Sequence, residues 1–273
     1  MKKFLAVLLV LTMALGVLAS CGAGNNDDGG DNGGGAAKVI VVGYTIYAPM
    51  NYMEGGELVG FDTDLAKAVF EGMGYKVRFQ EIDWNEKYTD LESGNIDCVW
   101  NGFTCNTADD DGILRADKVD FSYNYMENRQ VVVVKADSGI ATAADLAGKK
   151  GGAEASSAGE TYAKTFEGTT LKTVTKQTDC LMEVKSGNLD FAVFDAQLAK
   201  SYAGKGDYSD LIILDDLSSD VEYYAIGFKK GSDLTAKVNE QLEKLAADGT
   251  IAEIAAKYGV SNTAITDFSD QKN

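Results

Sequence analysis

Ser93-Gly94-Asn95-Ile96-Asp97 followed by Cys98-Val99-Trp100, and Ser186-Gly187-Asn188-Leu189-Asp190 followed by residues 191–194 (FAVF), are one element written twice, 93 positions apart. Each copy reads as the end of a helix, a glycine stop, and a short apolar strand. Upstream of the first copy, residues 38–43 (KVIVVG) form a β-branched apolar run. Residues 61–74 then carry Leu65, Val69 and Met73 on one helical face, and residues 75–82 alternate apolar with charged side chains as a strand does. A further helix is predicted from about Asn85. Strands that alternate with helices indicate an α/β architecture with largely parallel sheets. The repeat makes it two similar α/β lobes, each aiming the loop after its repeated strand at the crevice where such sheets bind ligands. A strand over 130–135 lies between the copies. Residues 222–228 (EYYAIGF) follow the second copy and lead into two helices. The first has Ser232 as its cap and Leu234, Val238, Leu242 and Leu245 inward, and the second starts on a Thr250/Glu253 capping box. The chain is therefore expected to cross twice between the lobes.

Composition narrows the chemistry. The 273 residues contain no histidine, which excludes Ser-His-Asp and Cys-His nucleophile systems and His-ligated zinc. Lys and Arg number 25 against 42 Asp and Glu, a net charge of −17 that repels nucleic acid backbones. Neither a metal nor a cofactor is expected.

The N-terminus reads as a separate unit. Lys2 and Lys3 precede an apolar run over 4–19 that is too short to suit a membrane span, so residues 1–20 are expected to be an export signal. It closes on Leu18-Ala19-Ser20-Cys21, similar to the bacterial lipobox, in which the cysteine becomes the lipid-bearing first residue; the alternative is an ordinary secretory signal with a chance cysteine. Residues 21–37, Cys21 followed by GAGNNDDGGDNGGGAA, read as a flexible Gly/Asn/Asp tether with nothing to bury. Cys98, Cys105 and Cys180 remain, an odd number. Their spacing fits free thiols and leaves a Cys98–Cys105 bridge open.

Tyr47-Ala48-Pro49-Met50, residues 60–66 (GFDTDLA), Asp83-Trp84, the Ser93–Asp97 element, Trp100-Asn101-Gly102-Phe103-Thr104, Arg115 with Asp120-Phe121-Ser122, residues 145–149 (DLAGK) and residues 190–195 fall in one order along almost the whole mature chain. In that order the sequence resembles the amino-acid-binding proteins of ABC importers, the bacterial extracellular solute-binding proteins of family 3. The resemblance implies a type II periplasmic-binding-protein fold with two lobes and a two-stranded hinge. One lobe would be discontinuous, from 38–124 and 226–273, and the other would span 125–225.

The resemblance also implies a free L-amino acid clamped between the lobes. A zwitterion requires a forked cation, a buried anion and a wall. Arg115 is the implied carboxylate fork, although eleven positions separate it from Thr104, so residues 106–111 read as an insertion. Gly102 and Thr104 match positions offering a backbone amide and a hydroxyl, and Asn101 one offering a carbonyl. Ser156 and Ser157 stand at a helix start whose free amides suit a carboxylate, with Ser157 and Glu160 spaced as a capping box. Asp195 matches the ammonium-binding aspartate. Tyr47 and Trp84 match the aromatic walls, with Tyr44 and Glu154 at the pocket edges. An acceptor at Glu154, aromatic faces and a negative field favour a polar ligand, with lysine or arginine slightly ahead of glutamine. The expected function is capture for delivery to an ABC permease by a binding protein held through Cys21 at the outer face of the bacterial cytoplasmic membrane. Two alternatives are an exported dehydratase-like enzyme, for which Glu154 would be the acid, and a ligand-sensing ectodomain.

Overall fold

The computed structural model describes residues 38–271. The expected export signal, Cys21 and the tether lie outside the described residues. Along the chain, β1 (Val39–Tyr44) is followed by a hairpin of β2 (Tyr52–Glu54) and β3 (Glu57–Val59), then α1 (Phe61–Gly72), β4 (Lys76–Glu81), α2 (Lys87–Ser93) and β5 (Cys98–Val99). After α3 (Arg115–Lys118) and β6 (Asp120–Phe121), the chain leaves through β7 (Met126–Asn128). The second sheet then forms from β8 (Gln130–Lys135), β9 (Lys150–Glu154), β10 (Thr170–Val174), β11 (Phe191–Asp195) and β12 (Leu211–Ser218), with α4 (Ala158–Ala163), α5 (Gln177–Ser186) and α6 (Ala196–Tyr202) between them. The chain returns through β13 (Glu222–Tyr224) to β14 (Gly227–Phe228), α7 (Leu234–Ala247) and α8 (Thr250–Lys257).

Two five-stranded sheets result, in the orders β4-β1-β5-β14-β6 and β10-β9-β11-β8-β12. In each, three neighbouring strands run parallel and the chain's crossing strands add antiparallel partners: β14 against β5 and β6, and β8 against β11 and β12. The antiparallel pair β7·β13, in register Glu222↔Asn128 to Tyr224↔Met126, carries both crossings. The two copies of the repeat stand at equivalent places. Gly94 and Gly187 end α2 and α5 at φ 76° and 77°, a left-handed backbone that glycine adopts without a Cβ penalty.

Packing follows the sequence pattern. α1 buries Leu65, Val69 and Phe70 fully, and each such side chain is worth about 1.5–3 kcal/mol. The Gly151-Gly152 step in β9 lets the sheet face be filled from elsewhere. A Cβ at Gly151 would lie 2.3 Å from the Phe191 ring and one at Gly152 2.3 Å from Leu189, so large neighbours supply the apolar cover that β9 lacks. Two local expectations fail. α8 has no side-chain cap from Thr250, whose hydroxyl instead donates to Asp248 at 2.7 Å because Gly249 takes the left-handed cap position. The segment from Asn85 begins as a short 3₁₀ turn before α2. Cys98, Cys105 and Cys180 are all free thiols.

Candidate functional site

The strand ends of both sheets converge on one cavity. The first sheet contributes Tyr47 beyond β1, Trp84 beyond β4, and Asn101, Gly102 and Thr104 beyond β5, with Arg115 at the start of α3. The second contributes Glu154 from the end of β9, Ser157 and Ala158 at the start of α4, Gln177 at the start of α5, and Asp195 from the end of β11.

Arg115 is 1% exposed and its guanidinium lies 5.5 Å from the Phe103 ring centroid. Nη1 donates to the Thr104 carbonyl at 3.2 Å and Nη2 to the Ser156 carbonyl at 3.3 Å. The inserted segment bears directly on this fork: Nε is paired with Asp109 Oδ1 at 2.8 Å. Burial disfavours ionisation of Asp109, but the Arg115 charge and hydrogen bonds from Lys118, Tyr88 and Arg115 prevail and hold its carboxyl down at about 2. Part of the arginine charge is thus already neutralised by the chain itself.

The anionic side is richer. Asp195 Oδ1 accepts from Asn128 at 2.8 Å and from Gln130 at 2.6 Å, and Oδ2 accepts from Gln177; burial raises its pKa nonetheless. Glu154, 4% exposed, is pushed up to about 8, first by burial and then by repulsion from Asp195. Tyr47 and Trp84 form walls. The Tyr47 hydroxyl shares a 2.6 Å hydrogen bond with that of Tyr224, and Trp84 packs edge-on against Phe103 at 5.2 Å. Tyr44, expected at the edge, packs against Phe79 and does not line the cavity.

Two expected roles need correction. The Gly102 amide donates to Asp62 Oδ2 at 2.9 Å, because the buried Asp62 carboxylate, which also takes the Tyr125 hydroxyl, claims it; Gly102 contributes its shape instead. At φ 57° a Cβ there would come within 2.6 Å of the Tyr47 ring. Ser156 does not line the cavity. Its φ of 59° is a left-handed backbone rare outside glycine, and its polar groups span the cleft: Oγ donates to Asn85 at 2.6 Å, and the carbonyl accepts from Lys87 at 3.2 Å as well as from Arg115. Ser157 does cap α4, its hydroxyl accepting the Glu160 amide at 3.0 Å, while the Glu160 carboxylate reaches back to the Ser156 amide, one residue beyond the expected box. Asn101 is immobilised by Thr45 and Asn51. At the rims, Lys176 pairs with Glu81 and Lys164 with Asp110, each at 2.6 Å, so the cleft is shut.

Sequence reading missed Gln177 and Ala158. Gln177 opens α5 with a polar side chain that any solvated helix start would carry, and Ala158 offers no chemical signal at all.

Residues 39–261 match the bacterial extracellular solute-binding proteins, family 3. The arginine-binding extracellular protein ArtP of Bacillus subtilis is 32% identical over 94% of this chain and 98% of its own length. Among solved structures, an ancestral arginine-binding protein bound to arginine superposes with a TM-score of 0.73 at 34% identity, covering 81% of this chain and 97% of that one. The arginine-, lysine-, histidine-binding protein ArtJ of Geobacillus stearothermophilus matches with a TM-score of 0.73 at 32% identity, over 81% and 95% respectively.

Proposed function

This chain belongs to the bacterial extracellular solute-binding proteins of family 3, and from that premise we propose that it captures a cationic L-amino acid, arginine foremost, for an ABC importer. The observation that carries the choice of ligand is the charge of the cavity wall. Glu154 and Asp195 stand there as buried acids, while the one lining cation, Arg115, is already shared with Asp109. A zwitterion with a neutral side chain leaves Glu154 protonated and unpaired; a second positive charge pairs with it once its proton is released. In this reading Arg115, with the Ser157 end of α4, takes the ligand carboxylate, Asp195 takes the ammonium, and Glu154 the side-chain cation between Tyr47 and Trp84. Thr104 and Asn101 hold the first-lobe side of the pocket in place. The similarity to arginine-binding proteins supports the same choice.

The lobes are taken as 38–124 with 226–273, and 125–225. Residues 1–20 would direct export, and lipidated Cys21 with the 21–37 tether would hold the domain at the outer face of the cytoplasmic membrane. Capture proceeds by closure and not by chemistry, since ligand contacts drawn from both lobes are complete only when the cleft is shut. One observation favours a second, dehydratase-like reading: Glu154 is largely protonated at neutral pH and so is suited to donate a proton. Recovery of the bound amino acid unchanged after prolonged incubation rejects that reading.

A thermal-shift panel of the twenty amino acids tests the ligand class. A ligand at a hundred times its Kd stabilises by about 2.7 kcal/mol, roughly 5–10 °C for a domain of this size. Arginine or lysine should give the largest shift and aspartate and glutamate the smallest; the reverse order overturns the reading.

A further inference from the structure

Behind Asp195, away from the cavity, lies a second carboxylate that the ligand reading does not use. Glu222 is 3% exposed and sits on β13, opposite Asn128 of β7, in the two-stranded crossing that joins the lobes. Asn128 Nδ2 donates both to Asp195 Oδ1 at 2.8 Å and to Glu222 Oε1 at 2.5 Å, and Gln130 Nε2 donates to the same two oxygens at 2.6 Å each. Two amide groups thus hold two carboxylates against each other, and neither acid has an ion-pair partner among the described residues. The cluster is short of donors. Asn128 Oδ1, buried beside it, has no hydrogen-bond partner.

We infer that Glu222 is part of the ammonium end of the site, sharing with Asp195 a single proton that the ligand's ammonium displaces on capture. This rests on the proposed role of Asp195. Like charges held this close do not both ionise in a buried setting, and the pair titrates as a unit. Burial, then repulsion from Asp195, pushes Glu222 up to about 7, and burial raises Asp195 too. The other groups facing the pair do not supply a compensating charge in contact: Tyr47 and Tyr224 are neutral, Cys105 is a thiol whose pKa burial pushes up to about 11, Glu154 is a further acid, and Arg115 acts only at a distance. An arriving –NH₃⁺ supplies both the positive charge and the missing donors, so one carboxyl O–H breaks and its proton leaves to water. Glu222 and Gln130 also line a second, solvent-open cavity, which gives that proton a route out with the cleft shut.

Calorimetry of L-arginine binding at pH 6.5, repeated in phosphate and in imidazole, counts the protons released. The parent should release on the order of half a proton or more per ligand from this pair, and Glu222→Gln should lose that share while still binding. Glu154→Gln controls for the other buried acid and should keep the share that Glu222→Gln removes. Difference infrared spectra of the Glu154→Gln protein should show the band of a protonated carboxyl disappearing on ligand addition, which tests the idea even if Glu222→Gln does not fold. Equal proton release in parent and Glu222→Gln, or no carboxyl band lost, overturns the inference and leaves ligand capture standing. A parent that binds none of the twenty amino acids overturns both.

Discussion

Replacing Glu154 by glutamine should convert a cation-preferring pocket into one with little preference. Glu154 ends β9 with its carboxyl fully enclosed and pushed up to about 8. At pH 7, ionising it to meet a guanidinium costs about 1.4 kcal/mol, one pKa unit. Leaving one partner of a buried ion pair alone costs about 3–5 kcal/mol. The difference, about 1.6–3.6 kcal/mol, corresponds to a roughly 15- to 400-fold weaker Kd for L-arginine. L-Glutamine, which needs no anion there, should stay within about threefold of the parent. The pH sign follows from the same geometry. A bound cation lowers the Glu154 pKa below its value in the empty cavity, so binding releases a proton, and parent affinity for arginine should rise with pH up to about 8 and then level. Titration calorimetry with both ligands between pH 6 and 9 measures all of this. An arginine Kd within threefold of the parent in Glu154→Gln, or an equal loss for both ligands, would refute Glu154 as the contact to the side-chain cation.

Arg115→Ala should weaken every amino acid ligand by a hundredfold or more, since it strands the ligand carboxylate, while Asp109 keeps Lys118 as its ion-pair partner; a change within threefold by calorimetry removes Arg115 from the site. Cys21→Ala should move the protein from the membrane to the soluble fraction of fractionated cells, and a membrane-bound variant contradicts lipidation there. Small-angle scattering should give a smaller radius of gyration with saturating ligand, because the narrow β7·β13 pair carries both crossings between the lobes; an unchanged radius means the cleft does not close on ligand.

How much of this was legible in the sequence depended on whether a residue's role was local. The Ser93–Asp97 and Ser186–Asp190 copies report helix, glycine stop and strand through short-range chemistry, and both lobes could be read from them. That Arg115 and Asp195 line one cavity was legible by resemblance. The partners that set their electrostatics were not. Asp109 is 6 residues from Arg115 along the chain, in a segment that reads only as an acidic loop, and nothing local says it folds back onto Nε. Glu222 precedes two tyrosines in a short strand, where nothing local marks a charge as buried, yet its neighbours Asn128 and Gln130 come from more than 90 residues away. Gly102 was misread for the same reason. Its amide serves Asp62, 40 residues upstream, and such competition for a donor is visible only once the strands are in register.

The left-handed Ser156 carbonyl, which accepts from Arg115 and from Lys87, has a kinetic consequence. Under the proposed role of Arg115, the group that takes the ligand carboxylate would also fasten the opposite lobe, and the ligand would leave only after that carbonyl lets go. Its residence time is then the waiting time for the lobes to part, with little contribution from the strength of its own contacts. Different cargoes would share similar escape rates from the shut state while differing in how often that state is reached. An importer that pries the lobes apart would set the release rate itself, and the bound molecule would be handed over at the docking site instead of being lost on the way.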